Sequence, residues 1–67
     1  MRKTYSWKTT KTNTGFQWFV EEYTDRTEPN ELGHYVDTRI IHTGHRATRA
    51  QASGIAKKVC VGYRRAS

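Results

Sequence analysis

Asn13-Thr14-Gly15 lies between two runs rich in threonine and aromatic residues, and that arrangement commits the first third of the chain to a β-hairpin. Asn and Gly tolerate the positive φ that tight turns demand. In the run before it, residues 4–12, Tyr5, Trp7 and Thr9 alternate with Ser6, Lys8 and Thr10, with no Gly or Pro to interrupt. That is the pattern of a strand with one half-buried face. The run after it, residues 16–24, carries Phe16, Trp18 and Val20 on one face and Phe19 and Tyr23 on the other. A two-residue loop pairs Trp7 with Val20 and Thr9 with Trp18, so that Tyr5, Trp7, Phe16 and Trp18 share a face. A three-residue loop shifts the register by one and reverses that grouping. We take the first register.

Asp25 to Gly33 is a loop by composition, and its length and acidity make it the expected mobile part of the fold. Residues 34–43 form a third strand, with Val36 and Ile40 expected toward the core and Arg39 and Ile41 opposite. Thr43-Gly44 is expected to turn the chain. A helix over 48–62 follows. Thr48 and Gln51 have capping-box spacing, and Ala52, Ile55, Ala56, Val59, Cys60 and Tyr63 form one apolar stripe. Gly62 is the expected stop, with residues 63–67 frayed. The fold class is α+β: a three-stranded antiparallel sheet (β-β-β-α) with one C-terminal helix packed on one face, a single small domain over 1–67.

A chain of 67 residues buries only about 60% of the surface its unfolded form exposes, so the core is thin. The single cysteine, Cys60, cannot bridge internally, so aromatic and aliphatic packing carries the fold. A lone thiol without a signal-peptide pattern points to a reducing, cytoplasmic setting, and no apolar run is long enough to cross a membrane.

The net charge is +6, and its distribution matters more than its total. All the acids lie between residues 21 and 37, whereas residues 38–67 carry Arg39, Arg46, Arg49, Lys57, Lys58, Arg64 and Arg65 with no acid. An acidic end and a basic remainder suit an anionic partner, although basic charge also keeps small proteins soluble. Catalysis finds no support: there is no nucleophile–histidine–acid spacing, no phosphate-binding glycine loop and no apolar carboxylate pair. His34, His42, His45 and Cys60 lack zinc spacing, and Cys60 belongs to the apolar stripe. No metal and no cofactor is implied.

Arg46 and Arg49 stand at the helix N-terminus, where free N–H groups favour phosphate, and Lys57 and Lys58 follow on the solvent side. The uncovered sheet face is expected to hold Lys8, Thr10, Gln17, Phe19, Glu21, Tyr23, Arg39 and Ile41. Rings beside cations can stack single-stranded nucleic acid. The same rings fit cross-strand stabilisation, a dimer interface or a protein-binding patch.

The segment Thr43-Gly44-His45-Arg46-Ala47-Thr48-Arg49-Ala50-Gln51-Ala52, with the strand order, resembles two families. One is the arm-binding N-terminal domain of tyrosine-recombinase integrases, which implies a sheet entering a DNA groove. The other is the latter part of the double-stranded-RNA-binding domain, which implies a basic helix start gripping phosphates. The likeness covers about the last third of the chain. The first helix of the RNA-binding family and its lysine pair are missing here.

The expectation is a non-enzymatic module that binds DNA or structured RNA through phosphates with low sequence specificity. Arg46, Arg49, Lys57 and Lys58 lead, helped by Lys8, Lys11 and Arg39. The alternative is a protein-interaction module acting through Phe19, Tyr23 and Ile41 or the acidic loop, as monomer or weak homodimer. Accessory proteins made by viruses of bacteria often take that form.

Overall fold

The computed structural model describes residues 2–66 and has three strands followed by one helix: β1 (Lys3–Thr12), β2 (Gly15–Asp25), β3 (Val36–Arg46) and α1 (Arg49–Ala66). The sheet is antiparallel in the order β1-β2-β3. Thr12 faces Gly15 across a two-residue loop, Trp7 faces Val20 and Thr9 faces Trp18, which is the register expected from the turn residues. One helix packs on one face of an open α+β sheet.

The core is small. Trp18 and Val20, from the central strand, meet Ala52, Ala56 and Cys60 from α1, and all five are buried. The short helix side chains let α1 settle close to the sheet beneath a large indole. Tyr5, Phe16, Ile41, Ile55, Val59 and Tyr63 pack around this centre. Fully burying one large apolar side chain contributes about 1.5–3 kcal/mol, so these few groups supply most of the driving force.

β3 departs from the sequence reading at one point that accounts for four misplaced residues. Val20 pairs with His42 but Glu21 pairs with Ile40, leaving Ile41 as an extra residue in a β-bulge. A bulge shifts the alternation of every residue on its far side. Ile41, expected on the open face, packs against the core. Arg39, also expected there, lies opposite Glu22 on the helix face. Val36 and Ile40, expected in the core, are turned outward at 38% and 53% exposure.

The expected turn at Thr43-Gly44 is absent because β3 continues to Arg46. Gly44 faces Trp18 across the sheet and leaves room for its ring: a Cβ there would lie 2.7 Å from three atoms of the indole. Nor does the helix stop at Gly62. Tyr63 stacks on Tyr5 with ring centroids 5.6 Å apart, and the Arg64 guanidinium donates to the Tyr5 carbonyl at 2.8 and 3.3 Å. Those contacts hold the last turn to β1, so the chain is helical where fraying was expected; Ser67 lies outside the described residues. Gly54 and Gly62 therefore both sit inside the helix, each costing about 1 kcal/mol relative to alanine. Nothing lies within 4 Å of where either would carry a Cβ.

At the other end, the Thr48 hydroxyl accepts from the Gln51 N–H at 3.2 Å, the capping bond expected from the spacing. The acidic loop after β2 is laced by its own bonds. Asn30 Oδ1 accepts from the N–H groups of Leu32 and His34, and Arg26 donates to Asp37 at 2.7 Å. The hydrogen bond from Arg26, reinforced by one from Asn30, lowers the Asp37 pKa below 3.8. A lowered folded-state pKa means that this support is complete above 3.8 and is lost as pH falls through the depressed value. The stability gap between the wild type and Asp37→Asn is therefore expected to be constant near neutrality and to shrink in acid. Paired urea titrations across pH check it.

Candidate nucleic-acid interface

The seven cations singled out from the sequence fall into three groups. Lys8 and Arg39 are engaged by acids. Lys8 Nζ is 3.0 Å from Glu21 and lies over the Phe19 ring, on the face away from the helix. Arg39 donates to Glu22 at 3.2 Å on the helix side. Glu22 is buried and also meets Lys3 and the Tyr5 hydroxyl, at 3.8 and 3.4 Å. Burial, together with the Glu22 charge and hydrogen bond, holds the Tyr5 phenol above its ordinary pKa. These groups tie the three strands together.

The second group gathers at the hairpin end. The register places Lys11 and Arg46 on either side of Phe16, and the Arg49 guanidinium lies over the Phe16 ring at 5.4 Å. Arg46 also donates to the His45 carbonyl. Lys11, Arg46 and Arg49 thus all come from positions next to Phe16, beside the start of α1.

Lys57 and Lys58 form the third group, on the outer surface of α1. With Arg65, Gly54, Val61 and Gly62 they line a shallow groove of about 510 Å³. Gly54, Lys58, Val61, Gly62 and Arg65 follow one another at helical spacing, opposite the stripe that packs on the sheet. No acid lines the groove. Sequence reasoning missed Arg65 because Gly62 was read as the end of the helix. The Tyr63 position in the apolar stripe was the signal that the helix continues. Arg64 and Arg65 also lie in the last turn, where cations favourably meet the helix dipole.

The open face of the sheet is chemically different. Phe19 and Tyr23 lie there as expected, but the Tyr23 hydroxyl donates to Glu21 and accepts from Ser6, closing a polar network around Lys8. Ile40 and Val36 join this face through the bulge, and Tyr35 and Leu32 are exposed nearby in sequence. Comparison with known proteins finds no matching family model, curated protein or solved structure.

Among the described residues no helix is long and apolar enough to cross a membrane, and no cluster of three metal-ligating side chains occurs. His42 instead stacks on Trp18 at 5.3 Å, and His45 bonds the hydroxyls of Thr12 and Thr14.

Proposed function

We propose that this protein is a non-enzymatic module that holds nucleic acid by its phosphates, with the outer surface of α1 as its principal contact. One observation supports this reading most: Lys57, Lys58 and Arg65 line a groove without an acid, whereas Lys3, Lys8 and Arg39 of the sheet and Arg26 of the loop after β2 all face carboxylates. Lys11, Arg46 and Arg49 add a second cationic cluster at the helix start. A polyanion gains most from cations that have no internal partner to surrender. Lys8 and Arg39 are left out of this interface.

Each neutralised phosphate releases counterions, so the affinity for a DNA duplex should fall with a log–log salt slope of about 0.9 per contact. Lys57→Glu with Lys58→Glu should lower that affinity at least about tenfold and flatten the slope by about two contacts. Fluorescence anisotropy with a labelled duplex at two salt concentrations reads both. An affinity indifferent to salt removes the proposal.

A second reading is favoured by the exposed apolar residues Leu32, Tyr35, Val36 and Ile40, which fit a protein partner. The two readings are separated by mutation: Ile40→Glu is expected to abolish protein capture and spare nucleic-acid binding, and the double lysine reversal is expected to do the opposite.

A further inference from the structure

Independent of the nucleic-acid reading, we infer that β3 pairs antiparallel with β3 of a second copy of this chain, across a two-fold axis at Thr38. The ladder decides which backbone groups are free. Thr24 pairs with Asp37 and Glu22 with Arg39, and the Arg26 N–H donates to the Tyr35 carbonyl at 2.9 Å. Antiparallel strands alternate the side to which each residue's N–H and C=O point. Tyr35, Asp37 and Arg39 therefore turn theirs toward β2, and Val36, Thr38 and Ile40 turn theirs outward from the sheet edge. The bulge comes only at Ile41. Val36 to Ile40 is thus an unbroken free edge, exposed along its length save for the half-buried Asp37. α1 packs mainly on β1 and β2 and not along this edge. The opposite edge is guarded. β1 holds Lys3, Lys8 and Lys11 without an acid, and the Arg64 guanidinium takes its Tyr5 carbonyl. Lysines and a covered backbone keep an edge from pairing, and Val36 to Ile40 has no lysine, proline or glycine.

The occupant follows from how this stretch reads in both directions. Outward from Thr38, an acid and then a valine lie on one side, and a base and then an isoleucine on the other. Rotated onto itself, the strand sets Thr38 against Thr38, and on each side of the axis Asp37 against Arg39 and Val36 against Ile40. The threonine and the apolar pairs exchange backbone hydrogen bonds. The Asp37–Arg39 pairs fall between them, at the positions where opposed side chains come closest. Asp37 already has Arg26 and Arg39 already has Glu22 within the chain, so pairing extends existing ion pairs into a network and buries no bare charge. One residue further out, the exposed Tyr35 would come opposite Ile41 of the second copy. A hollow of about 430 Å³ lies there, lined by Glu22, Arg39, Ile40, Ile41 and Tyr63. Of the large apolar side chains left exposed, Tyr35, Val36 and Ile40 all belong to this pairing. It is small beside a standard interface of about 1,600 Å², so the dimer is weak and forms as concentration rises.

Sedimentation equilibrium without nucleic acid, from about 10 µM to about 1 mM protein, should show the mass climbing from 7.8 kDa toward twice that value. Asp37→Arg and Arg39→Asp should each weaken self-association at least about tenfold, because each sets like charges face to face. Mixed in equal amounts the two variants should associate again, the arginines of one now facing the aspartates of the other. Thr38→Pro removes an N–H from the outward edge alone, so it should keep the wild-type circular dichroism and stay monomeric. If a charge variant fails to fold, Thr38→Pro decides by itself. A wild type that stays monomeric at the highest concentration overturns the pairing. So does association of Thr38→Pro equal to that of the wild type, which would put the contact on another surface such as the open face. A mixture of folded charge variants that fails to associate overturns it as well. None of these results bears on phosphate binding, which the salt titration decides separately.

Discussion

Trp18→Ala is expected to leave most of the protein unfolded at room temperature. Trp18 is 4% exposed and occupies the middle of a core that has, among the described residues, five buried apolar members. Truncating a buried tryptophan to alanine costs about 3–5 kcal/mol. A chain of this length has a total stability of about 3–10 kcal/mol, at 0.05–0.15 kcal/mol per residue. The loss therefore consumes much or all of it.

Gly44 supplies the second half of the same prediction, because the indole rests where a side chain on β3 would otherwise be. Gly44→Ala should cost about 1–3 kcal/mol by overpacking. In a Trp18→Leu background the same change should cost almost nothing, since the ring that it collides with is gone. Urea unfolding followed by far-ultraviolet circular dichroism gives all four corners of this cycle. Equal costs of Gly44→Ala in both backgrounds would contradict the packing of Trp18 on Gly44.

Those two residues also show where sequence reasoning succeeds and where it stops. The hairpin register was legible because Asn13-Thr14-Gly15 fixes the loop and a single slip would turn every ring to the wrong face. The helix was legible from its apolar period. Gly44 was read as a turn because, without knowledge of the facing strand, a glycine after threonine looks like punctuation. Its actual partner is twenty-six residues away in sequence, and no local pattern carries that information. The bulge at Ile41 was invisible for a related reason. Ile40 and Ile41 are both β-branched and apolar, so the sequence permits either to face the core, and the choice is made by the pairing of β3 with β2. The candidate site suffered less. Lys57 and Lys58 lie outside the packing stripe whatever the sheet does, so their exposure followed from helix geometry alone. The ion pairs of Lys8 and Arg39 were not legible, because Glu21 and Glu22 are placed beside them only by cross-strand pairing.

Gly15→Ala is the other substitution expected to have a large effect, although it deletes no contact at all. Gly15 has φ +151°, a conformation that residues with a side chain rarely adopt. Holding a non-glycine residue in such a region costs about 1–3 kcal/mol. The added Cβ would also press on the carbonyl oxygen of Arg46, with the Ala47 Cα and the His45 ring each 3.1 Å away. Most of these neighbours are backbone at the junction of β3 and α1, so the hairpin tip cannot yield without moving the start of the helix. A melting temperature lower by roughly 10–20 °C is expected, since 1 kcal/mol corresponds to about 4–8 °C in a domain of this size. Gly33→Ala is the matched control: its φ is also positive, at +81°, but nothing lies within 4 Å of the new methyl group. It should therefore show the conformational cost without the collision. The difference between the two variants measures how firmly the hairpin tip is wedged under the strand-to-helix junction, and equal melting temperatures would mean that it is not wedged there. The same junction carries Arg46 and Arg49, so a Gly15→Ala protein that still folds should displace that cationic cluster while leaving the Lys57–Lys58–Arg65 groove undisturbed.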